Sequence, residues 1–400
     1  HAPIWPSKPT RCPSHRAVGR DGIPGVRMRQ TLYTRLIGFC LSALLLTSPV
    51  QANAADLCDA PYETMDKYRY LRSLSLDLRG KLPSMEEYRQ LDTQDNVPLE
   101  TINAMLESDA FEARYLRWQK ERIWHNVSNF DLQDGQGTIA QRNGIYWSNS
   151  RSIPYRGERV PCRDVPAETT PAGEYVTVEV DGALLEGYVE VEPYWAPGTS
   201  VKVCAFDART NPIGESGALC NTADGFRDPT CGCGPNLIWC APGSVEREVR
   251  NAFGESLDKL LASLLREGQS YEELFTTSRA FMNGPMVHFW KHWTRVTRSA
   301  RGAPEPLLVD FLPDLNFTDT NTWVEVQLPS YHAGILTSPA FLMRHQTNRG
   351  RADQFYAQFM CQPFNPPTGP LPFADAEAQT EPDLQLRAGC KYCHAALEPS

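Results

Sequence analysis

The sequence predicts an α+β protein, mainly α with helical bundle regions and a small antiparallel, disulfide-rich β insertion. Three observations carry this. Apolar residues recur at helical spacing on both sides of the chain's middle, and the period falls to 2 between about residues 165 and 245. Five of the 12 cysteines lie between Cys204 and Cys240. With 400 residues, 41% hydrophobic and 22% charged, the chain has material for more than one core and lacks the composition of a disordered or multispanning protein.

The N-terminal stretch reads as targeting material. The first methionine is Met28, so residues 1–27 read as upstream sequence outside the fold. A basic start at Arg29 and Arg35 precedes the apolar run LIGFCLSALLL, and Ala52-Asn53-Ala54 fits a small-x-small cleavage site. The run is shorter than the roughly 20 residues a membrane span needs, which favours a cleaved signal peptide over an anchor. The expected mature chain starts near Ala55, is periplasmic or extracellular, and has no transmembrane span.

The segment 55–160 is expected to be helical. Tyr70, Leu71, Leu74 and Leu78 form a stripe that ends at Gly80, and Ser84 with Glu87 make a capping box behind Pro83. PLETINAMLES and AFEARYLRWQKERIWHN continue the period, placing Leu116, Ile123 and Trp124 on neighbouring faces. In the insertion, 161–245, EYVTVEV and ALLEGYVEVEPYW alternate about a turn at Asp181-Gly182, and SVKVCAF supplies a third strand. Tyr188, Tyr194 and Trp195 suit either a core or a face for a polysaccharide or surface polymer.

Helical spacing returns in 246–360. Leu257, Leu260, Leu261, Leu264 and Leu265 make a stripe closed by Gly268, and His288 and His292 share a helix face at i, i+4. That spacing suits a shared metal. The flanking Phe289, Trp290 and Trp293 suit a packed segment instead.

Charge argues against nucleic acid as a partner. Residues 1–54 hold seven Lys and Arg and one Asp, so the remainder keeps 32 of the 39 bases against 47 of the 48 acids, a net charge of −15. The short basic stretch RHQTNRGR reads as a solvated helix end or loop. Cys58, Cys162, Cys204, Cys220, Cys231, Cys233, Cys240 and Cys361 form an even set that reads as disulfides in an exported chain; zinc would require thiolates that such a compartment opposes.

The final segment, 361–400, is a Pro-rich linker followed by Cys390, Cys393 and His394 as C-x-x-C-H. This spacing provides two thiols for the vinyl groups of a haem and a histidine for its iron, which makes haem c the expected covalent cofactor. A redox thiol pair and a tight disulfide are the competing readings. For the distal iron position the candidates are Met343, Met360, His345 and His332.

The stretches YLRSLSLDLRGKLPSMEEYRQL, YEELFTTSRAFMNGPM, YHAGILTSPAFLMRHQTNRGRADQFYAQFMCQPFNPP and CKYCHAALEP, in this order, resemble the large exported proteins of planctomycetes and myxobacteria that carry a cytochrome c-like haem motif and have no assigned function. The resemblance spans most of residues 66–399 outside the β insertion. It implies an exported haem protein, and a chain continuing beyond Ser400. Two classes follow: an exported c-type haem protein exchanging electrons with a redox partner, or a disulfide-stabilised binding protein without haem. No serine elbow, phosphate loop or dinucleotide fingerprint points to a hydrolase or nucleotide enzyme.

Overall fold

The computed structural model describes residues 65–125, 132, 137–148, 160–294, 309–330, 332–362, 364–365, 380–387 and 389–397. These belong to the unit Met65–Ser400; the expected leader, its cleavage site and Cys58 fall in His1–Thr64, outside the described residues.

Four helices open the described chain, α1 (Lys67–Arg79), α2 (Met85–Asp92), α3 (Leu99–Leu106) and α4 (Asp109–Ile123). Asp66 starts α1 by accepting from the Tyr68 and Arg69 amides, and Gly80 ends it at φ 70°. Ser84 and Glu87 close the expected capping box on α2. Leu71, Leu91, Val97 and Met105 bury together as a small local core. On α4, Ile123 is buried, whereas Trp124 takes a left-handed conformation at φ 57°, ends the helix and lies exposed against Arg344. Trp124 therefore lies at the cap, outside the helical period expected to carry it beside Ile123.

A four-stranded sheet follows, ordered β1 (Ile139–Arg142), β2 (Ile145–Ser148), β6 (Val201–Cys204), β5 (Tyr188–Val191). The hairpin expected at Asp181-Gly182 forms from β3 (Val178–Val180) and β4 (Ala183–Leu185), with both turn residues at positive φ. The insertion is not purely antiparallel, since β2 runs parallel to β6 while the β1–β2 and β5–β6 pairs are antiparallel. Strands from either side of residue 160 thus share one sheet, because β6 needs a hydrogen-bonding neighbour on each edge and β2 supplies it.

Three disulfides staple this region: Cys162–Cys204, Cys220–Cys231 and Cys233–Cys240. Cys361 is an exposed free thiol, a departure from the expected paired set. Cys162, Cys204 and buried Glu186 lie close together, but the disulfide removes both thiolates a metal would need.

Asp228 holds the loop between Cys220 and Cys231. Burial raises its pKa, but hydrogen bonds from Ser216 and Thr230 outweigh this and hold the carboxyl well below its ordinary value. Its oxygens accept from the Ser216 amide at 2.8 Å and from the Thr230 amide at 2.8 Å. A depressed folded pKa contributes stability that is complete above the unfolded value and is lost as pH falls. Asp228→Asn should therefore cost about 2 kcal/mol at pH 7, and the gap between native and variant urea midpoints should narrow below about pH 4.

The second half is built on α5 (Gly243–Arg266), whose Leu257, Leu260, Leu261 and Leu264 are buried as the leucine stripe foretold, with Leu265 half-buried and Val249 and Phe253 extending the buried face. Against it pack the antiparallel pair β7 (Arg279–Met282) and β8 (Val324–Gln327), the short helix α6 (Glu273–Thr276), and α7 (Gly284–His288), which runs into a π-helical turn at Phe289–Trp293. Arg279 clamps this layer by binding Glu267 and Glu325. Phe226, Cys220 and Cys231 lie in the same apolar cluster as α5, so the cysteine-rich segment contributes to the main core.

The expected helical bundle is corrected here. The ten α-helices among the described residues alternate with small mixed and antiparallel sheets, and the longest helix packs on a strand pair. The α+β class holds. Among the described residues, no helix is long and apolar enough to cross a membrane.

Candidate functional site

The chain ends in α8 (Pro339–Arg344), α9 (Asn348–Phe359) and α10 (Lys391–Leu397). Ser338 caps α8 and Thr347 caps α9 through their hydroxyls. Before α10, Arg387 donates from Nε to the Glu381 carbonyl at 2.6 Å, and Gly389 takes φ 82°, which redirects the chain into the helix.

The C-x-x-C-H run is the first turn of α10. The Cys390 carbonyl accepts from the Cys393 amide at 3.2 Å and from the His394 amide at 3.1 Å. Helical geometry then sets Cys390 and His394 one above the other at i, i+4, with Cys393 beside them. Cys390 and Cys393 are both free and partly buried, although the other described cysteines, Cys361 apart, are paired.

On α9, the helix against which α10 packs, Arg349 Nη2 lies 3.5 Å from His394 Nδ1. A guanidinium only donates, so in this contact Nδ1 is the only group that could accept. The donor set fits haem c: two unpaired thiols and an adjacent imidazole on one helical turn.

The four distal candidates separate by location. Met343 is 5% exposed and sits in the main core. His332 holds Thr337 Oγ1 at 2.6 Å through Nδ1, and burial lowers its pKa. His345 follows α8 with its ring 5.0 Å from that of Phe341; burial lowers its pKa, and Nε2 is buried without a hydrogen-bond partner. Met360 is 50% exposed at the C-terminal end of α9. Only His345 and Met360 flank the helix on which α10 rests.

His288 and His292 resolve as packing residues. His288 is buried, stacks on Tyr194 with ring centroids 3.8 Å apart, and contacts the Ile238 carbonyl through Nε2 at 3.1 Å. Burial and the neighbouring His292 push its pKa well down, and burial pushes His292 to about 4. The π-turn, closed by the Thr294 amide on the Phe289 carbonyl at 3.1 Å, lets Trp293 Nε1 reach the same Ile238 oxygen at 3.1 Å.

The aromatics of the sheet are likewise committed to packing. Tyr194 is partly buried, donates its hydroxyl to the Cys240 carbonyl at 3.2 Å, and has its pKa raised by burial. Trp195 sets its ring edge to face against Tyr146 and Tyr194, and Tyr188 lies beneath Lys202. Tyr188, Tyr194 and Trp195 are all partly buried.

A cleft that sequence reasoning passed over lies between α1 and α4. Its signal was the spacing of Phe111, Tyr115 and Trp118 at i, i+4, i+7. Comparison with protein-family models, with curated proteins and with solved structures gives no match for this chain.

Proposed function

We propose that this chain is an exported c-type haem protein, in which Cys390 and Cys393 bind the haem as thioethers and His394 is the proximal iron ligand. The observation that supports it best is the pair of free thiols within one helical turn of His394, in a chain that pairs six of its other described cysteines. The resemblance to exported haem-motif proteins belongs to the same reading, and the three disulfides fit an oxidising compartment.

Holding the group asks little of the protein. Each S–H adds across a vinyl C=C, sulfur to one carbon and hydrogen to the other, with no net oxidation. The bound haem supplies one-electron chemistry. The role we assign is electron transfer with a partner protein, or the redox module of an oxidoreductase acting outside the cytoplasm. A methionine at the sixth position raises the potential, which makes Met360 the candidate for a carrier.

Intact mass and a reduced haemochrome spectrum test this, on protein exported from a host with the cytochrome c maturation system. The expected result is one covalent haem increment and a c-type absorption band. An unmodified, colourless chain, with a control cytochrome matured in the same cells, would reject the assignment and leave a disulfide-stabilised binding protein.

A further inference from the structure

The α1–α4 cleft is an open one of about 560 Å³ at the surface of the N-terminal helices. Phe111, Tyr115 and Trp118 line it from successive turns of α4. The Trp118 ring is 50% exposed and rests on the Arg122 guanidinium, whose carbon is 5.3 Å from the ring centroid. Arg122 is itself anchored on the Gln358 carbonyl at 3.0 Å, and the Tyr115 ring centroid lies 6.4 Å from that of Trp118. These contacts hold an exposed indole in one orientation, a flat apolar plate in a polar surround.

The polar lining has both signs in equal number. Arg114, Arg117 and Glu121 line it from α4 and Asp77 from α1, so the formal charge of the lining is zero. Arg114 is positioned by donating from Nε to the Asp77 carbonyl at 2.6 Å, against the end of α1. A balanced lining gives a charged polymer no net attraction. It does offer acceptors and donors together, which is what vicinal hydroxyl groups need, since each hydroxyl both gives and takes a hydrogen bond.

We propose that this cleft binds a neutral polysaccharide chain, with a sugar ring stacked on Trp118 and its hydroxyls shared between the carboxylates and the guanidiniums. The ligand class follows from three features together: a fixed aromatic plate, donors and acceptors side by side, and an open cleft of about 560 Å³. An apolar ligand would strip water from four ionised groups, at a desolvation cost the stacking cannot offset. The site is independent of the haem reading, and either can hold without the other.

The test is isothermal titration of the full chain with cellohexaose, xylohexaose, mannohexaose and chitohexaose. At least one is expected to bind with Kd below about 1 mM. Trp118→Ala should weaken that binding at least about tenfold. Trp124→Ala, which removes another exposed indole of the same region outside the cleft lining, should leave it unchanged. Because Trp118 is half exposed on a helix surface and alanine is the better helix former, the variant should keep the native circular dichroism and thermal midpoint. Absence of binding by all four sugars, equal affinity in native protein and Trp118→Ala, or tighter binding of hexagalacturonate than of every neutral sugar would each overturn the proposal.

Discussion

Replacing Gly334 by alanine should destabilise the protein by at least about 4 kcal/mol, at the far end of what single substitutions do. Two independent costs meet at this residue. Its φ is 48°, in the left-handed region where a side chain strains the backbone. A Cβ there would also collide with the Leu274 carbonyl oxygen, with that carbonyl's carbon at 2.7 Å. Neither neighbour yields readily, because the obstacle is backbone and the Gly334 amide donates to the Thr277 carbonyl at 2.9 Å. Leu274 is itself 1% exposed, so a shift of its carbonyl disturbs the main core. Gly182 provides the control: its φ is 82°, but a Cβ there would meet nothing within 4 Å. Gly182→Ala should cost about 1 kcal/mol, the conformational share alone. Urea midpoints of the two variants measure the difference, and equal midpoints would mean that the close approach at Gly334 is not part of the native fold.

Changing Cys390 and Cys393 together to serine should abolish covalent haem while leaving the fold intact. The serine hydroxyl does not add to a vinyl group under conditions where a thiol does. Both cysteines are only partly buried, and neither belongs to a buried core cluster. The variant should therefore retain native circular dichroism and its three disulfides while losing the haem mass increment. Each single variant should keep at most one thioether, and His394→Ala should keep both thioethers but lose the proximal ligand and shift the reduced spectrum. Covalent haem persisting in the double variant would sink the assignment of these residues.

Electrostatics contributes less to the site than placement does. The contact between Arg349 and His394 illustrates this, because at 3.5 Å it sets α9 and α10 side by side. The same holds for His288, where burial keeps the ring neutral and the Ile238 carbonyl orients it in the core. The i, i+4 pair at His288 and His292 was legible as a pair. Its purpose was not, because a helix face says which residues neighbour each other and not what covers them.

What the sequence by itself determined is local. The caps at Asp66 and Ser84, the stop at Gly80, the turn at Asp181-Gly182, the leucine stripe of α5 and the helical turn carrying Cys390, Cys393 and His394 all depend on groups a few residues apart. Such interactions are complete within one turn of backbone, so residue identity is enough to specify them. The tertiary structure alone decided the parallel pairing of β2 with β6, the union of β7 with β8 across more than 40 residues of chain, the disulfide connectivity, and the burial of Phe226 with α5. It also decided that Tyr194 and Trp195 are covered while Trp118 is open. Period and composition mark a surface as apolar, but its partner is chosen by whichever distant segment buries it best, and that choice is settled only when the whole chain packs.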